Sequence, residues 1–357
     1  MTPRTHHAAL ALILAVTVLA GCLSALAGCV RRVEIGPEPE APAVETELTF
    51  LPLAGRVARA DAEISSLVWH GDQLLLLPQR PDLVAGGDSS VVFVLDRQDI
   101  LDRIDGISTE PLLPREVLAH APRLSELVPG YDGLEAAAMQ GDRIYLIIET
   151  NLGTEAGAFL VAGRVESAFD SMRLDLERIV PVPISARLPN MSFESLVVVD
   201  DRLVAIQEAN GLFVNPEPGA SAFTLDLEPL GRIPGPAVEF RLTDATAADA
   251  AGRFWVINYF FPGERELLLP AEDAEVKRFG QGLTHGSCDT VERLLEFRID
   301  ESGLVRTPAP PIAFRLRDDL LCRNWEGVAR LDDRGFLLIT DRYPATLLAF
   351  APFSRQD

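Results

Sequence analysis

Glu135, Glu194, Asp244 and Glu326 each open a short hydrophobic strand, and Ser66 opens a fifth at the matching place. The strands that follow them end on Arg80, Glu149, Glu208, Asn258 and Asp341. Side chains at equivalent points of a repeat converge when the repeat closes on itself. Carboxylates crowded in this way repel and raise one another's pKa unless a cation lies among them. Oxygen ligands without His or Cys suit a hard ion. A flexible ring of them suits calcium, with about six to eight ligands, better than the strict octahedron of magnesium. Ser66, Glu135, Glu194, Asp244 and Glu326 are therefore the candidate ligands of a central Ca2+.

Such an ion would polarise a substrate oxygen and lower the pKa of a bound water. Glu149 or Glu208 could take that water's proton, while Arg80, Arg323 or Arg342 held the anionic oxygens of a phosphate or carboxylic ester. The chain has no serine-nucleophile elbow, no HExxH and no P-loop, so neither a covalent serine nor a nucleotide-cradling mechanism is indicated. His70, His120 and His285 are scattered and read as surface residues. The competing reading is a non-catalytic scaffold in which calcium only pins the repeats together and the loop-rich face binds a protein partner. A scaffold would seal its ion with protein ligands, whereas an enzyme needs an open site facing a pocket.

The elements that must position these groups recur five times, beginning at Ser66 (SLVWHGDQLLLLPQR), Glu135 (EAAAMQGDRIYLIIE), Glu194 (ESLVVVDDRLVAIQE), Asp244 (DATAADAAGRFWVIN) and Glu326 (EGVARLDDRGFLLITD). Each is a strand, a tight turn rich in Gly or Asp, and a second strand. Third strands follow at Val91–Leu95, Ala158–Ala162, Val291–Ile299 and Thr346–Phe350, and a short helix is expected at Asp99–Ile104. Intervals of roughly 50 to 80 residues are those of propeller blades. The last unit runs out of chain after three strands, and an unassigned strand at Glu47–Leu53 can supply its fourth. The expected fold is an all-β, five-bladed β-propeller closed by that N-terminal strand. The alternative, six blades, would use the wide interval before Glu326, but its middle, residues 262–288, is polar and reads as an insertion.

The axial order Ser, Glu, Glu, Asp, Glu over five blades resembles that of the calcium-activated nucleotidase (apyrase) propellers. That resemblance implies one calcium held in the channel by a ring of Ser and Glu. Asp244 stands where that family has serine, and its substrate loops have no match here. Asn324-Trp325-Glu326-Gly327-Val328-Ala329, followed by Thr340-Asp341-Arg342, is similar to the blade motif of the phytase-like, esterase-associated propellers.

The N-terminus carries Arg4, an apolar run from Ala8 to Ala20, and then Gly21 and Cys22. Thirteen apolar residues rise only about 20 Å as a helix, too short to span a bilayer, so residues 1–21 read as a signal peptide. Leu19-Ala20-Gly21-Cys22 resembles the lipobox of bacterial lipoproteins. It implies a lipid, palmitate included, on Cys22, with Cys29 in a second copy of the motif as the alternative. Residues 31–46 alternate proline with glutamate, and 22–46 read as a lipidated tether, leaving 47–357 as the propeller. The expected location is the cell envelope, facing the periplasm from the outer membrane where there are two membranes. Net charge is −21 and the pI is near 4.6, which excludes nucleic acid as a partner and favours a monomer that meets cations. In an oxidising compartment Cys288 and Cys322 either pair or stay as buried thiols.

Overall fold

The computed structural model describes residues 43–85, 90–120, 124–153, 156–166, 169–319 and 322–353. Cys22 and Cys29 lie outside them, and no helix among the described residues is long and apolar enough to cross a membrane.

The strands are apolar on both faces because each is packed between two blades. In Gln73–Pro78, Leu75 and Leu77 face one neighbouring blade while Leu74 and Leu76 face the other. In Arg143–Asn151, Ile144, Leu146 and Ile148 alternate in the same way with Tyr145 and Ile147. A period of two that buries both sides gives a continuous hydrophobic run, which is what the sequence shows.

The chain opens with β1 (Glu45–Thr46) and β2 (Thr49–Leu51). Blade one follows with β3 (Ile64–His70), β4 (Gln73–Pro78), β5 (Ser90–Asp96) and β6 (Arg115–His120). Blade two is β7 (Tyr131–Gln140), β8 (Arg143–Asn151), β9 (Ala156–Glu166) and β10 (Ser171–Pro181). Blade three is β11 (Phe193–Val199), β12 (Arg202–Gln207), β13 (Gly219–Thr224) and β14 (Pro229–Pro234). Blade four has β15 (Arg241–Ala245), β16 (Arg253–Phe260) and β17 (Val291–Asp300), with its outer position shared by β18 (Gly303–Arg306) and β19 (Ile312–Phe314). Blade five is β20 (Trp325–Leu331), β21 (Gly335–Thr340) and β22 (Leu348–Pro352).

Strand β2 pairs antiparallel with β22, Leu51 opposite Leu348, and so completes blade five. The five inner strands β3, β7, β11, β15 and β20 adjoin one another in turn, and β20 returns to β3. Five apolar layers fill the five junctions between blades. The protein is a five-bladed β-propeller closed by its N-terminal strand. Residues 262–288 form short helical turns rather than strands, so the wide interval is an insertion, and Arg97–Ile104 is the expected helix.

Two expectations are corrected here. Glu45 and Thr46, assigned to the tether, form β1, which pairs in parallel with β19. His285, read as a surface residue, is buried. The carboxylate of Glu45 accepts hydrogen bonds from the backbone amides of Thr284 and His285, from Thr284 Oγ1, and from His285 Nδ1 at 2.8 Å. Glu45 thereby ties β1 onto the insertion.

Candidate functional site

Each inner strand skips one ladder position near its start. The residues left without a partner on the second strand of their own blade are Ser65, Glu135, Glu194, Asp244 and Glu326. A β-bulge re-aims the side chain of its extra residue, and four of these side chains, those of Ser65, Glu135, Glu194 and Glu326, line one recess. The register in blade one therefore differs by one from the expected Ser66. Ser65 is the bulged residue, and its hydroxyl reaches Leu134 O of the next blade at 2.5 Å. A second bulge in β7 adds Asp132.

Glu135, Glu194 and Glu326 line a polar recess of about 420 Å³ together with Ser65, Glu149, Asp132, Asp341 and Arg241. Gly133 leaves room for this arrangement, since a Cβ there would lie 2.3 Å from Gln79 Cγ and 2.8 Å from Glu135 Oε1. Gln79 Nε2 donates to that Glu135 oxygen at 2.7 Å. Glu149 accepts from the Ser192 amide at 3.1 Å.

Ser66 and Asp244 form a separate layer. Asp244, fully buried, accepts from Ser66 Oγ at 3.1 Å and from the amides of Leu67 at 3.1 Å and Val328 at 2.8 Å. Ser66 Oγ accepts in turn from the Ala137 amide. This layer ties blades one, two, four and five together, and its oxygens are committed to protein donors. The five expected ligands thus do not form one coordination shell. Among the described residues, no three acids, histidines or cysteines stand close enough to hold an ion.

The cation the sequence reading lacked is Arg241, which opens β15. Its Nη2 lies 3.3 Å from Oε1 of both Glu194 and Glu326, its Nε is bonded to Glu208, and its Nη1 lies 3.6 Å from Glu264 and 3.4 Å from Asn324 Oδ1. Burial alone would lower its pKa, but Glu208, Glu194, Glu326 and Glu264 hold it firmly charged. One guanidinium does not balance five buried carboxyls. Burial raises them all, Glu208 to about 8, and pushes Glu135, Glu194 and Glu326 well above the ordinary range, each helped by a neighbouring carboxylate. Glu326 is raised by burial first and then by the Glu194 carboxylate beside it.

The remaining expected residues divide. Glu149 lines the recess, whereas Glu208 is fully shut off behind Arg241. Arg80 and Arg342 reach the recess but are paired with Asp132 and Glu63. Arg323 is taken out of the site altogether. It is 2% exposed, bonded to Glu292 at 2.7 Å and packed over the Trp325 ring. Asn258 braces Arg293 and the Glu239 carbonyl. Cys288 and Cys322 are unbridged, with Thr290 Oγ1 3.1 Å from Cys322 Sγ. A larger cavity, about 880 Å³, lies beside the insertion under Phe279, Trp255 and Ile312. Its lining is mainly apolar, so chemistry is assigned to the smaller recess.

Comparison with protein-family models and with curated protein sequences finds no match. Among solved structures, a hypothetical protein from Leishmania major is 10% identical, covering 88% of this chain and 92% of its own, with a TM-score of 0.44. A glucose dehydrogenase is 14% identical over 85% and 99%, with a TM-score of 0.44. A GH43_1 enzyme from Xanthomonas citri is 11% identical over 83% and 90%, with a TM-score of 0.42. No residue role is transferred from them.

Proposed function

We propose that the axial recess is the active site of a hydrolase that acts on a small, uncharged carboxylic ester by carboxyl acid–base chemistry. The observation that carries this reading is the geometry of the recess, where the buried Glu194 and Glu326 each lie 3.3 Å from one Arg241 nitrogen and face the opening beside Glu149. A carboxyl held protonated near neutral pH can protonate a leaving oxygen, and a neighbouring carboxylate can take the proton of the attacking water. Glu326 is assigned the first role and Glu149 the second. Arg241 donates toward the oxygen on which charge develops, and Glu208 fixes the guanidinium from behind.

Charge narrows the substrate. Arg80 and Arg342 are already neutralised by acids, so the recess repels a phosphate dianion, which removes phosphate esters from the expected class. The same negative surroundings favour a second reading, acetal hydrolysis, because they would stabilise a cationic transition state. The openness of the recess supports an enzyme over a sealed scaffold.

We infer further that lipid on Cys22 holds the enzyme in the cell envelope. Metabolic labelling with palmitate tests it, with loss of label expected in Cys22→Ala and not in Cys29→Ala. The activity test is a panel of aryl esters, lactones, aryl glycosides and aryl phosphates. Turnover of the esters that disappears in Glu326→Gln supports the proposal. Turnover confined to the phosphates would overturn it.

A further inference from the structure

We propose that Arg241 is the resident cation of the propeller axis, and that the chain holds a guanidinium where its resemblance to calcium-binding propellers implies a metal. The inference stands apart from the hydrolase reading, since it concerns what balances the carboxylates and not what they act upon.

Geometry is the first ground. Calcium needs oxygens at about 2.3–2.6 Å, and two of the recess oxygens it would have to use are Oε1 of Glu194 and Oε1 of Glu326. Both already lie 3.3 Å from the same Arg241 nitrogen. An ion within bonding reach of both would collide with that N–H and face its positive charge. The planar fork is used on all sides, by Glu208, Glu194, Glu326, Asn324 and Glu264.

The second ground is the fate of the other expected ligands. Asp244 has spent both oxygens on Ser66, Leu67 and Val328. Ser66 is turned to Asp244 and Ala137. With these two withdrawn, three glutamates remain, so calcium would also need several waters in the space that the guanidinium fills. A guanidinium needs no such shell. It pairs with carboxylates through fixed donors and stays charged when buried.

The inference makes calcium binding a property that one substitution should create. Arg241→Met removes the charge at similar length and leaves Glu194, Glu208 and Glu326 facing an unfilled centre. The test is thermal melting of the full chain in chelator and in millimolar calcium chloride, with calorimetric titration of calcium. Wild type is expected to melt at the same temperature in both. Arg241→Met is expected to melt several degrees higher with calcium, and adding Glu194→Gln should abolish that rise. Arg241→Lys keeps a cation and should behave as wild type, which serves as the second variant if the methionine chain does not fold. A calcium-dependent rise in wild type that Glu326→Gln removes would overturn the inference. So would an Arg241→Met chain that folds yet gains no calcium response.

Discussion

Ser66 Oγ lies 3.1 Å from Oδ1 of Asp244, joining the first blade to the fourth across the axis. The carboxylate also caps the amides of Leu67 and Val328, and its backbone sits in the left-handed region at φ 38°. Asp244→Ala would strand two amides and a hydroxyl in the interior and leave an alanine in a strained conformation. Each unsatisfied buried group costs about 1–3 kcal/mol, so a loss of at least about 3 kcal/mol in urea unfolding is expected. Ser66→Ala should cost about 1–2 kcal/mol. The double variant should lose less than the sum, because the two residues share one network.

The pH dependence of stability follows from the recess. Burial raises Glu208 to about 8, lifts Glu149, and holds Glu135, Glu194 and Glu326 well above their ordinary value of 4.5. The folded chain therefore binds more protons than the unfolded chain across neutrality. This contribution is complete below about pH 4.5 and is lost as pH rises through about 8. Glu45 acts in the opposite sense. Burial would raise it, but hydrogen bonds from His285 and Thr284 hold it low, so its contribution fades as the medium becomes strongly acidic. Melting temperature should be highest near pH 4–5 and fall steadily toward pH 9. Glu208→Gln should make the decline between pH 7 and 9 shallower. A melting temperature that rises from pH 6 to 9 would contradict the raised carboxyls.

How much of this was legible follows from what kind of signal each residue sends. Periodicity of two, turn residues at fixed offsets and a missing last strand are local facts, so the blades, the insertion and the closure by β2 could be read directly. The convergence of Glu135, Glu194 and Glu326 was also legible, because equivalent repeat positions share an axis. Whether Ser65 or Ser66 is the equivalent residue was not, since a bulge shifts register by one and both are serine. Arg241 was missed because its partners Glu194 and Glu326 lie 47 and 85 residues away. Its only local trace is a cation at the head of the short strand Arg-Leu-Thr-Asp-Ala. Arg323 sits beside the Trp-Glu-Gly motif and so drew a role in binding. Its actual partner, Glu292, is in another blade, and nothing in the motif announces that.

That buried pair makes a separate prediction. Arg323 and Glu292 are 2% and 0% exposed, and Trp325 Nε1 adds a bond to the same carboxylate at 2.8 Å. Removing one partner leaves an uncompensated interior charge, so Arg323→Met should cost about 3–5 kcal/mol. Arg323→Met with Glu292→Gln should cost clearly less. The folded single variant should retain wild-type KM and kcat, which separates a brace from a substrate-binding arginine.

Kinetics of the recess variants divide the two carboxyl roles. Glu194 and Glu326 are both held well above the ordinary carboxyl range, so the working acid stays protonated through neutrality and its loss gives the alkaline limb, while protonation of the base gives the acidic limb. Glu326→Gln should lower kcat about 100- to 1,000-fold with a small change in KM and remove that alkaline limb. Glu149→Gln should lower kcat and remove the acidic limb instead. Unchanged limbs in both variants would place the chemistry outside the recess.

Closure of the ring gives the last prediction. β2 contributes three residues, yet Leu51 is 1% exposed and packs into the layer between blades five and one with Leu348 and Phe350. Without it, β22 becomes an open edge and that layer meets water, the combination that drives edge-to-edge association. β1 adds a second tie through Glu45, so residues 43–53 fasten blades four and five at once. A chain beginning at Leu53 should lose its cooperative melting transition and aggregate in the micromolar range. Leu51→Asp in the full chain should reproduce much of that loss, because it buries a charge at the same seam. A synthetic peptide spanning residues 43–54 should bind the truncated chain and restore part of the transition. A truncated chain that melts as wild type would show that three strands suffice for the fifth blade.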